Sequence, residues 1–186
     1  MAAGDRERWD AKHRAGSHDA DPPDWLDAFD AVLPRQGRAL DVAAGTGRVA
    51  RAWAARGLES LAVDVSPEGL RRAREAAARA GLALETRVLD LEQEPLPEGP
   101  FALVSCFHYL QRDLFARMRE RLAPGGVLVC EIATLRNLER HAHPSARFLL
   151  KPGELLSLCR PLEIVTHSED WRGDAFLARL IARNPG

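Results

Sequence analysis

The chain of 186 residues has few cysteines, few lysines and no long hydrophobic run. Cys106, Cys130 and Cys159 are an odd number of cysteines without the spacing of metal ligands, so we expect buried free thiols rather than disulfides or a zinc site. No stretch reaches the roughly 18 apolar residues that a membrane-spanning helix requires. The charged start MAAGDRERWDAKHR has no apolar segment of the kind found in signal peptides. These absences predict a soluble cytoplasmic protein with no membrane partner.

Positive charge is supplied almost entirely by arginine, because Lys12 and Lys151 are the only lysines. The 26 basic and 27 acidic residues leave a net charge of −1. Nucleic-acid-binding domains usually carry an excess of basic residues on one face, so this balance predicts no nucleic-acid partner.

The length suits one domain with its own hydrophobic core, and we expect a monomer or a weak homodimer.

Residues 1–36 are predicted to form a helical cap on the main domain. A charged surface helix is expected at residues 5–15. A second helix should follow Asp21-Pro22-Pro23, because apolar residues recur there at helical spacing. This apolar stripe consists of Trp25, Leu26, Phe29, Val32 and Leu33.

Residues 38–186 alternate between strand and helix patterns, which predicts a mostly parallel α/β sheet with right-handed crossovers. Strands are expected at residues 39–43, 60–65, 84–89, 101–106 and 127–133. Helices are expected at residues 48–56, 67–80 and 111–122, the second with Ser66 as its N-cap. Two further strands, at residues 162–171 and 175–183, are joined by only three residues. A connection that short cannot be a crossover, so it predicts an antiparallel hairpin.

A glycine turn follows the first predicted strand, which ends near Asp41. Gly45 and Gly47 would let the backbone approach a ligand closely, and the helix that follows supplies free N–H groups. The spacing of Gly45, Gly47 and Ala50 also fits the loose dinucleotide fingerprint, and a simple tight turn is a third interpretation. Asp41 would repel a pyrophosphate, whereas S-adenosylmethionine (SAM) presents a positive ammonium and sulfonium. The acidic strand end therefore favours SAM.

The next two predicted strands also end in aspartate. Asp64, 17 residues after Gly47, is placed to accept hydrogen bonds from both ribose hydroxyls, although it could instead serve the helix N-terminus before Pro67. Asp90 is placed to accept a hydrogen bond from the adenine amino group, although it could be a solvated loop acid beside Glu92. An aspartate at each of three successive strand ends is a more specific indication of a cofactor site than any one of them alone.

These segments resemble a known family. ALDVAAGTGRVA, AVDVSPEGL, VLDLE and LAPGGVLV are similar to the successive motifs of class I SAM-dependent methyltransferases. WDAKHRAG, PPDWLDAF, FHYLQRDLF and FLLKPGEL more narrowly resemble a short bacterial subgroup akin to the tellurite-resistance methyltransferases. The resemblance covers nearly the whole chain. It implies a Rossmann-like doubly wound α/β sheet of order 3-2-1-4-5-7-6, and SAM as cofactor.

The resemblance also indicates which residues would bind SAM. Ala43 stands where the family usually has glycine, so we expect its backbone to avoid positive φ. Arg14 would pair with the methionyl carboxylate if the N-terminal helix folds over the cofactor. The full predicted set is Arg14, Asp41, Ala43, Gly45, Gly47, Asp64, Val65, Asp90, Leu91 and Cys106.

The acceptor side is expected after the fourth strand, where His108 and Tyr109 could orient or deprotonate an acceptor. Packing of these rings under a helix start is the alternative. The sulfonium already activates the methyl group, so transfer requires mainly positioning, and we favour an acceptor that arrives deprotonated. His141 and His143 are a possible metal pair, but further ligands are not near in sequence, so we expect no metal and a mobile lid at residues 136–148.

The sequence therefore predicts SAM-dependent methyl transfer to a small-molecule acceptor, with thiols, oxyanions, amines and carboxylates all open. A non-catalytic SAM-binding protein is the first alternative, because methyl transfer has no obligatory catalytic triad. A nucleotide-dependent oxidoreductase is less favoured, since Asp41, the hairpin and the lack of a second domain all oppose it.

Overall fold

The computed structural model describes residues 2–16 and 23–186, so the predicted helix-starting residues Asp21 and Pro22 lie outside the described residues. Seven strands form one sheet in the order β3-β2-β1-β4-β5-β7-β6. The five N-terminal strands pair in parallel, and β7 pairs antiparallel with both β5 and β6. The predicted order and the predicted hairpin are confirmed. The strands are β1 (Arg38–Val42), β2 (Glu59–Asp64), β3 (Glu85–Val88), β4 (Phe101–Phe107), β5 (Leu122–Ala133), β6 (Glu163–Arg172) and β7 (Ala175–Arg183).

Five α-helices accompany the sheet within the described ranges. They are α1 (Ala2–Arg14), α2 (Arg48–Ala55), α3 (Pro67–Arg79), α4 (Leu114–Glu120) and α5 (Glu154–Cys159). The start of α3 follows the prediction, because the Ser66 hydroxyl accepts a hydrogen bond from the backbone N–H of Gly69 at 3.0 Å. Such a cap satisfies one of the free N–H groups at a helix start.

Two predicted helices differ from the structure. The helix expected at residues 111–122 is shorter, because Leu122 is already the first residue of β5 and pairs with Phe101. Its apolar side chain continued the helical pattern, but the backbone belongs to the sheet. The second N-terminal helix is a short 3₁₀ helix, Asp24–Phe29, followed by turns. Leu26 and Leu33 of the expected stripe are nevertheless buried.

Helices cover both faces of the sheet. One face packs on α4 and α5 through the buried Phe115 and Leu155. The other packs on α2 and the 3₁₀ helix, where Trp53 is 1% exposed and donates its indole N–H to the Ser105 hydroxyl at 2.9 Å. A doubly wound sheet of this kind places its ligand site at the carboxyl ends of its strands, where the strand order reverses between β1 and β4.

The three cysteines are free and buried, as expected. None of the helices in residues 2–16 and 23–186 combines the length and the hydrophobicity of a membrane span.

Candidate cofactor and acceptor site

Asp41 at the end of β1 holds the start of α2. Its side chain is buried, and its oxygens accept hydrogen bonds from the Ser105 hydroxyl at 2.6 Å and from the Ala50 N–H at 3.1 Å. Burial raises the pKa of Asp41 to about 7, although the bonds from Ser105 and Ala50 oppose the shift. The carboxyl group is therefore only partly charged near neutral pH. The sequence argument that its charge repels a pyrophosphate is weaker than expected.

Asp64 at the end of β2 ties that strand to the glycine turn. One oxygen accepts the N–H of Gly45 and the other that of Ser66, both at 2.8 Å, and the residue is 7% exposed. Burial raises the pKa of Asp64, and these two backbone bonds counteract the shift. Each carboxylate oxygen can accept a second hydrogen bond. The geometry is therefore compatible with a further polar ligand, as a ribose would require.

The backbone between β1 and α2 is left-handed at three residues. Ala43, Gly45 and Gly47 have φ values of +56°, +54° and +71°. The expectation that Ala43 avoids positive φ is therefore wrong. The N–H of Ala44 bonds to the carbonyl of Val63 at 3.0 Å, and this bond to β2 holds the turn in place. Such strain at a non-glycine residue costs roughly 1–3 kcal/mol and is often found at ligand sites.

Helix α1 lies across this turn. Asp10 accepts hydrogen bonds from the Ser66 hydroxyl at 2.5 Å and from the Glu68 N–H at 3.1 Å. The His13 ring is 3% exposed and fills the space above two glycines: its Cε1 lies 3.3 Å from where a Cβ on Gly45 would be, and its Cδ2 lies 2.9 Å from where a Cβ on Gly69 would be. The N-terminal helix therefore closes one side of the cofactor site.

His13, rather than the predicted Arg14, is the α1 residue over the glycine turn. Arg14 is exposed and its charge acts on Glu68 at the start of α3. Its pairing with a methionyl carboxylate stays a prediction. The sequence signal for His13 was its place beside Arg14 in WDAKHRAG, but only the docking of α1 shows which of the two side chains faces the turn.

Asp90 lies beyond the end of β3 and closes its own loop. Its oxygens accept from the Glu92 N–H at 3.0 Å and from the Gln93 side-chain amide at 2.9 Å. The strand end nevertheless lies beside Asp64, because the N–H of Leu89 bonds to the Asp64 carbonyl at 2.9 Å. Asp90 bonds within its loop but is only 9% exposed, so it is not the solvated acid of the alternative, and contact with adenine stays a prediction. Val65, which is partly buried, and Leu91, which is buried, follow the ends of β2 and β3, and their contact with the cofactor stays a prediction.

On the predicted acceptor side, His108 is the more accessible of the two candidate bases. It has a φ of +56°, and its side chain is 48% exposed. Tyr109 donates its hydroxyl to Gln111 at 2.9 Å, and burial raises the pKa of the phenol well above its ordinary value, so it is a poor base. Cys106 is buried, and burial likewise raises the pKa of its thiol.

Glu131 and Arg179 lie beside His108, and neither residue was predicted from the sequence. The Nε2 atom of His108 lies 3.2 Å from one oxygen of Glu131, and the Nε of Arg179 donates to the other oxygen at 2.8 Å. Burial would raise the pKa of Glu131, but the neighbouring His108 and Arg179 outweigh it and hold the pKa below its ordinary value of 4.5. The signal available was a lone acid in the otherwise apolar strand VLVCEIA.

The predicted lid at residues 136–148 is anchored in its first part. Asn137, in the 3₁₀ helix Leu135–Glu139, is buried and exchanges hydrogen bonds with the backbone of Phe176, at 2.6 and 3.1 Å. His141 contacts the carbonyl of Asp174 at 2.7 Å. These bonds argue against mobility at residues 136–141, whereas residues 142–148 are exposed, and the lid stays a prediction. Within residues 2–16 and 23–186, His141 and His143 belong to no group of three or more potential metal ligands.

Comparison with known proteins finds similarity to methyltransferases. Residues 39–126 match the model of a family described as a methyltransferase domain. An uncharacterized protein of Mycobacterium bovis is 37% identical over 134 residues, or 69% of this chain and 44% of that protein. The ubiquinone/menaquinone biosynthesis C-methyltransferase UbiE of Bordetella avium is 37% identical over 100 residues, or 50% of this chain and 39% of that protein. The chain thus spans less than half the length of either relative.

Solved structures share the fold. A SAM-dependent methyltransferase from Clostridium acetobutylicum superposes with a TM-score of 0.70 at 17% identity, over 97% of both chains. Residues 39–126 therefore match a methyltransferase domain, and the chain has the fold of SAM-dependent methyltransferases. This domain match and this fold together imply SAM as the cofactor. TehB from Haemophilus influenzae superposes with a TM-score of 0.72 at 17% identity, over 90% of this chain and 63% of that one. Structural likeness at 17% identity shows the fold alone, so the narrower resemblance to the tellurite-resistance methyltransferases stays a prediction.

Proposed function

We propose that the protein transfers the methyl group of SAM to a small-molecule acceptor bound beside His108. The single observation that carries the proposal is the left-handed turn at residues 43–47, which is bonded to Asp64 and covered by His13. His13 occupies the side of Gly45 on which a Cβ would lie. A ligand would approach the backbone of the turn from the side that His13 leaves free, and the carboxylate beside the turn can accept from ribose hydroxyls. These residues therefore fit SAM.

In this proposal, one set of residues binds SAM and His108 contacts the acceptor. Asp64 would receive the ribose, Asp90 the adenine edge, and the glycine turn the methionyl part, with α1 closing over it. When bound, SAM supplies an activated methyl group, so the protein needs to orient the acceptor and exclude water. His108, half-exposed at the end of β4, is the polar group placed to contact that acceptor.

Turnover separates an enzyme from the alternative of a non-catalytic SAM-binding protein. The parent protein is assayed for S-adenosylhomocysteine formation with a panel of hydroxyl, thiol, amine and carboxylate acceptors. We expect formation with at least one class. His108→Asn should lower turnover by about 100-fold or more while SAM affinity is retained, because a base acts in the transition state.

His167→Asn is the matched control, because it changes the same residue type on β6, away from the strand ends that form the site, and should leave turnover unchanged. SAM binding without turnover on any acceptor class would favour the non-catalytic alternative. Equal turnover by the parent and by His108→Asn would remove His108 from the proposal.

A further inference from the structure

A continuous polar contact crosses three neighbouring strands at the acceptor side. It runs from His108, directly after β4, through Glu131 of β5 to Arg179 of β7. Glu131 and Arg179 face each other in the register of β5 and β7. Their side chains are 5% and 12% exposed, whereas that of His108 is 48% exposed. The buried pair of Glu131 and Arg179 therefore holds the accessible side chain of His108.

The aromatic surroundings keep water away from the buried end. The guanidinium of Arg179 lies 5.3 Å from the centre of the Trp25 ring, and that ring packs on Phe107 at 6.4 Å. Charge-assisted hydrogen bonds are stronger and more directional in such a poorly solvated site. The Glu131 carboxylate is thus fixed by Arg179 and cannot turn freely.

An ion pair alone would not explain how His108 is held. The backbone N–H of His108 bonds to the Glu131 carbonyl at 2.7 Å, while its ring nitrogen faces the Glu131 carboxylate, so two contacts to one residue fix the ring. The residue adopts positive φ to make both contacts. A non-glycine residue keeps that conformation only where the surrounding structure imposes it.

The proton positions follow from the chemistry of the three groups. Arg179 can only donate, and the ionised Glu131 can only accept. An unprotonated Nε2 would set its lone pair against the ionised carboxylate at 3.2 Å, so the Nε2 atom of His108 must carry a proton. The neutral ring then has its lone pair on Nδ1. The charged groups that the structure places against this ring are Glu131 from β5 and, behind it, Arg179 from β7.

We propose that Glu131 and Arg179 are positioning residues that keep the His108 proton on Nε2, so that Nδ1 accepts a proton from the methyl acceptor. This inference rests on the proposed function and narrows its acceptor to a neutral hydroxyl, thiol or amine, each of which still carries a proton on its nucleophilic atom. It differs from the sequence expectation of an acceptor that is already deprotonated. Carboxylates and oxyanions have no proton for Nδ1 to take.

The reaction balances in this assignment. The acceptor lone pair forms the bond to the methyl carbon, the carbon–sulfur bond breaks with its electron pair on sulfur, and the acceptor proton passes to Nδ1 and then to water. The imidazolium formed in between is stabilised by Glu131, because an opposite charge lies at hydrogen-bond distance. Arg179 prevents the carboxylate from rotating away.

The test is ¹⁵N NMR of the histidine rings at a pH at which imidazole is neutral, with S-adenosylhomocysteine present. His108→Asn identifies the signals of His108. The parent protein should show Nε2 protonated and Nδ1 bare, with a downfield Nε2 proton. In Glu131→Gln, the amide oxygen should face Arg179 and its NH₂ group should face His108, so the majority tautomer should change to Nδ1–H.

Glu169→Gln is the matched control, since Glu169 lies 3.5 Å from His167 in the same sheet. It should leave the His108 signals unchanged. A parent ring that carries its proton on Nδ1 would overturn the proposal even if Glu131→Gln failed to fold. A folded Glu131→Gln with the parent tautomer would overturn it as well.

The acceptor panel tests the substrate class separately. Turnover of hydroxyl, thiol or amine acceptors supports the inference, and turnover confined to carboxylates or oxyanions contradicts it. Failure of the parent to bind S-adenosylhomocysteine in calorimetry would instead contradict the proposed function. In that case the tautomer measurement would still decide the role of Glu131 and Arg179.

Discussion

Replacement of Asp64 tests whether one carboxylate both holds the glycine turn and binds the cofactor. Its oxygens accept the backbone N–H groups of Gly45 and Ser66 at 2.8 Å each, in a residue that is 7% exposed. Alanine would leave two buried donors without acceptors, at about 1–3 kcal/mol each. We therefore expect Asp64→Ala to lower the free energy of unfolding by about 2–6 kcal/mol.

The same variant should also bind SAM more weakly, by roughly 2–4 kcal/mol, because the ribose loses a charged acceptor. Urea denaturation followed by circular dichroism measures the first effect. Calorimetry at a temperature at which the variant is folded measures the second. Asp64→Asn retains one acceptor oxygen, so both of its losses should be smaller.

Asp90→Ala is the matched control, because its acceptor bonds stay within its own loop. It should cost about 1 kcal/mol in unfolding and about 1–2 kcal/mol in SAM binding. If Asp64→Ala unfolded like the parent, the carboxylate would not hold the turn. If it bound SAM like the parent, the ribose assignment would be wrong.

Three other changes test the surroundings of the site. The pKa of Asp41 is raised from 3.8 to about 7, so the folded state binds more protons than the unfolded state between these pH values. The titration of Asp41 should therefore cost the parent about 2–4 kcal/mol of stability as pH rises through that range. Asp41→Asn should flatten this loss, as measured by urea titrations at several pH values. Gly47→Ala should destabilise the protein by about 2–4 kcal/mol in the same assay, because a Cβ would lie 2.6 Å from that of Ala73 and the φ is +71°. Asn137→Ala should speed proteolysis within residues 135–141, and an unchanged cleavage rate would show that the bonds to Phe176 do not anchor this segment.

The sheet could be predicted from the sequence because its signals are local. Strand and helix patterns alternate from residue 38, and the hairpin follows from the short connection between its strands. The helix expected at residues 111–122 failed at its end, because Leu122 fits both a helical stripe and a buried strand. Only its pairing with Phe101 decides between them.

The cofactor site could be predicted in composition but not in detail. Asp41, Asp64 and Gly45 lie at the strand ends and the turn, as predicted. Burial, however, raises the pKa values of both carboxyl groups, and both accept hydrogen bonds from the backbone. The positive φ of Ala43 was not predictable, since alanine rarely adopts it and the bond from Ala44 to β2 imposes it.

The contact of His108, Glu131 and Arg179 could not be predicted, because it depends on register. These residues belong to segments distant in sequence that become neighbours only when β4, β5 and β7 pair. His13 presents the same problem, because the docking of α1 on α3 decides which side chain of the N-terminal motif covers the turn.

Calorimetric titration of the protein with SAM, S-adenosylhomocysteine and NADH tests the central claim most directly. The turn at residues 43–47 and Asp64 should bind SAM and its demethylated product, each with a stoichiometry near one, and NADH should produce no binding heat. Binding of NADH without binding of SAM would contradict the assignment of this site.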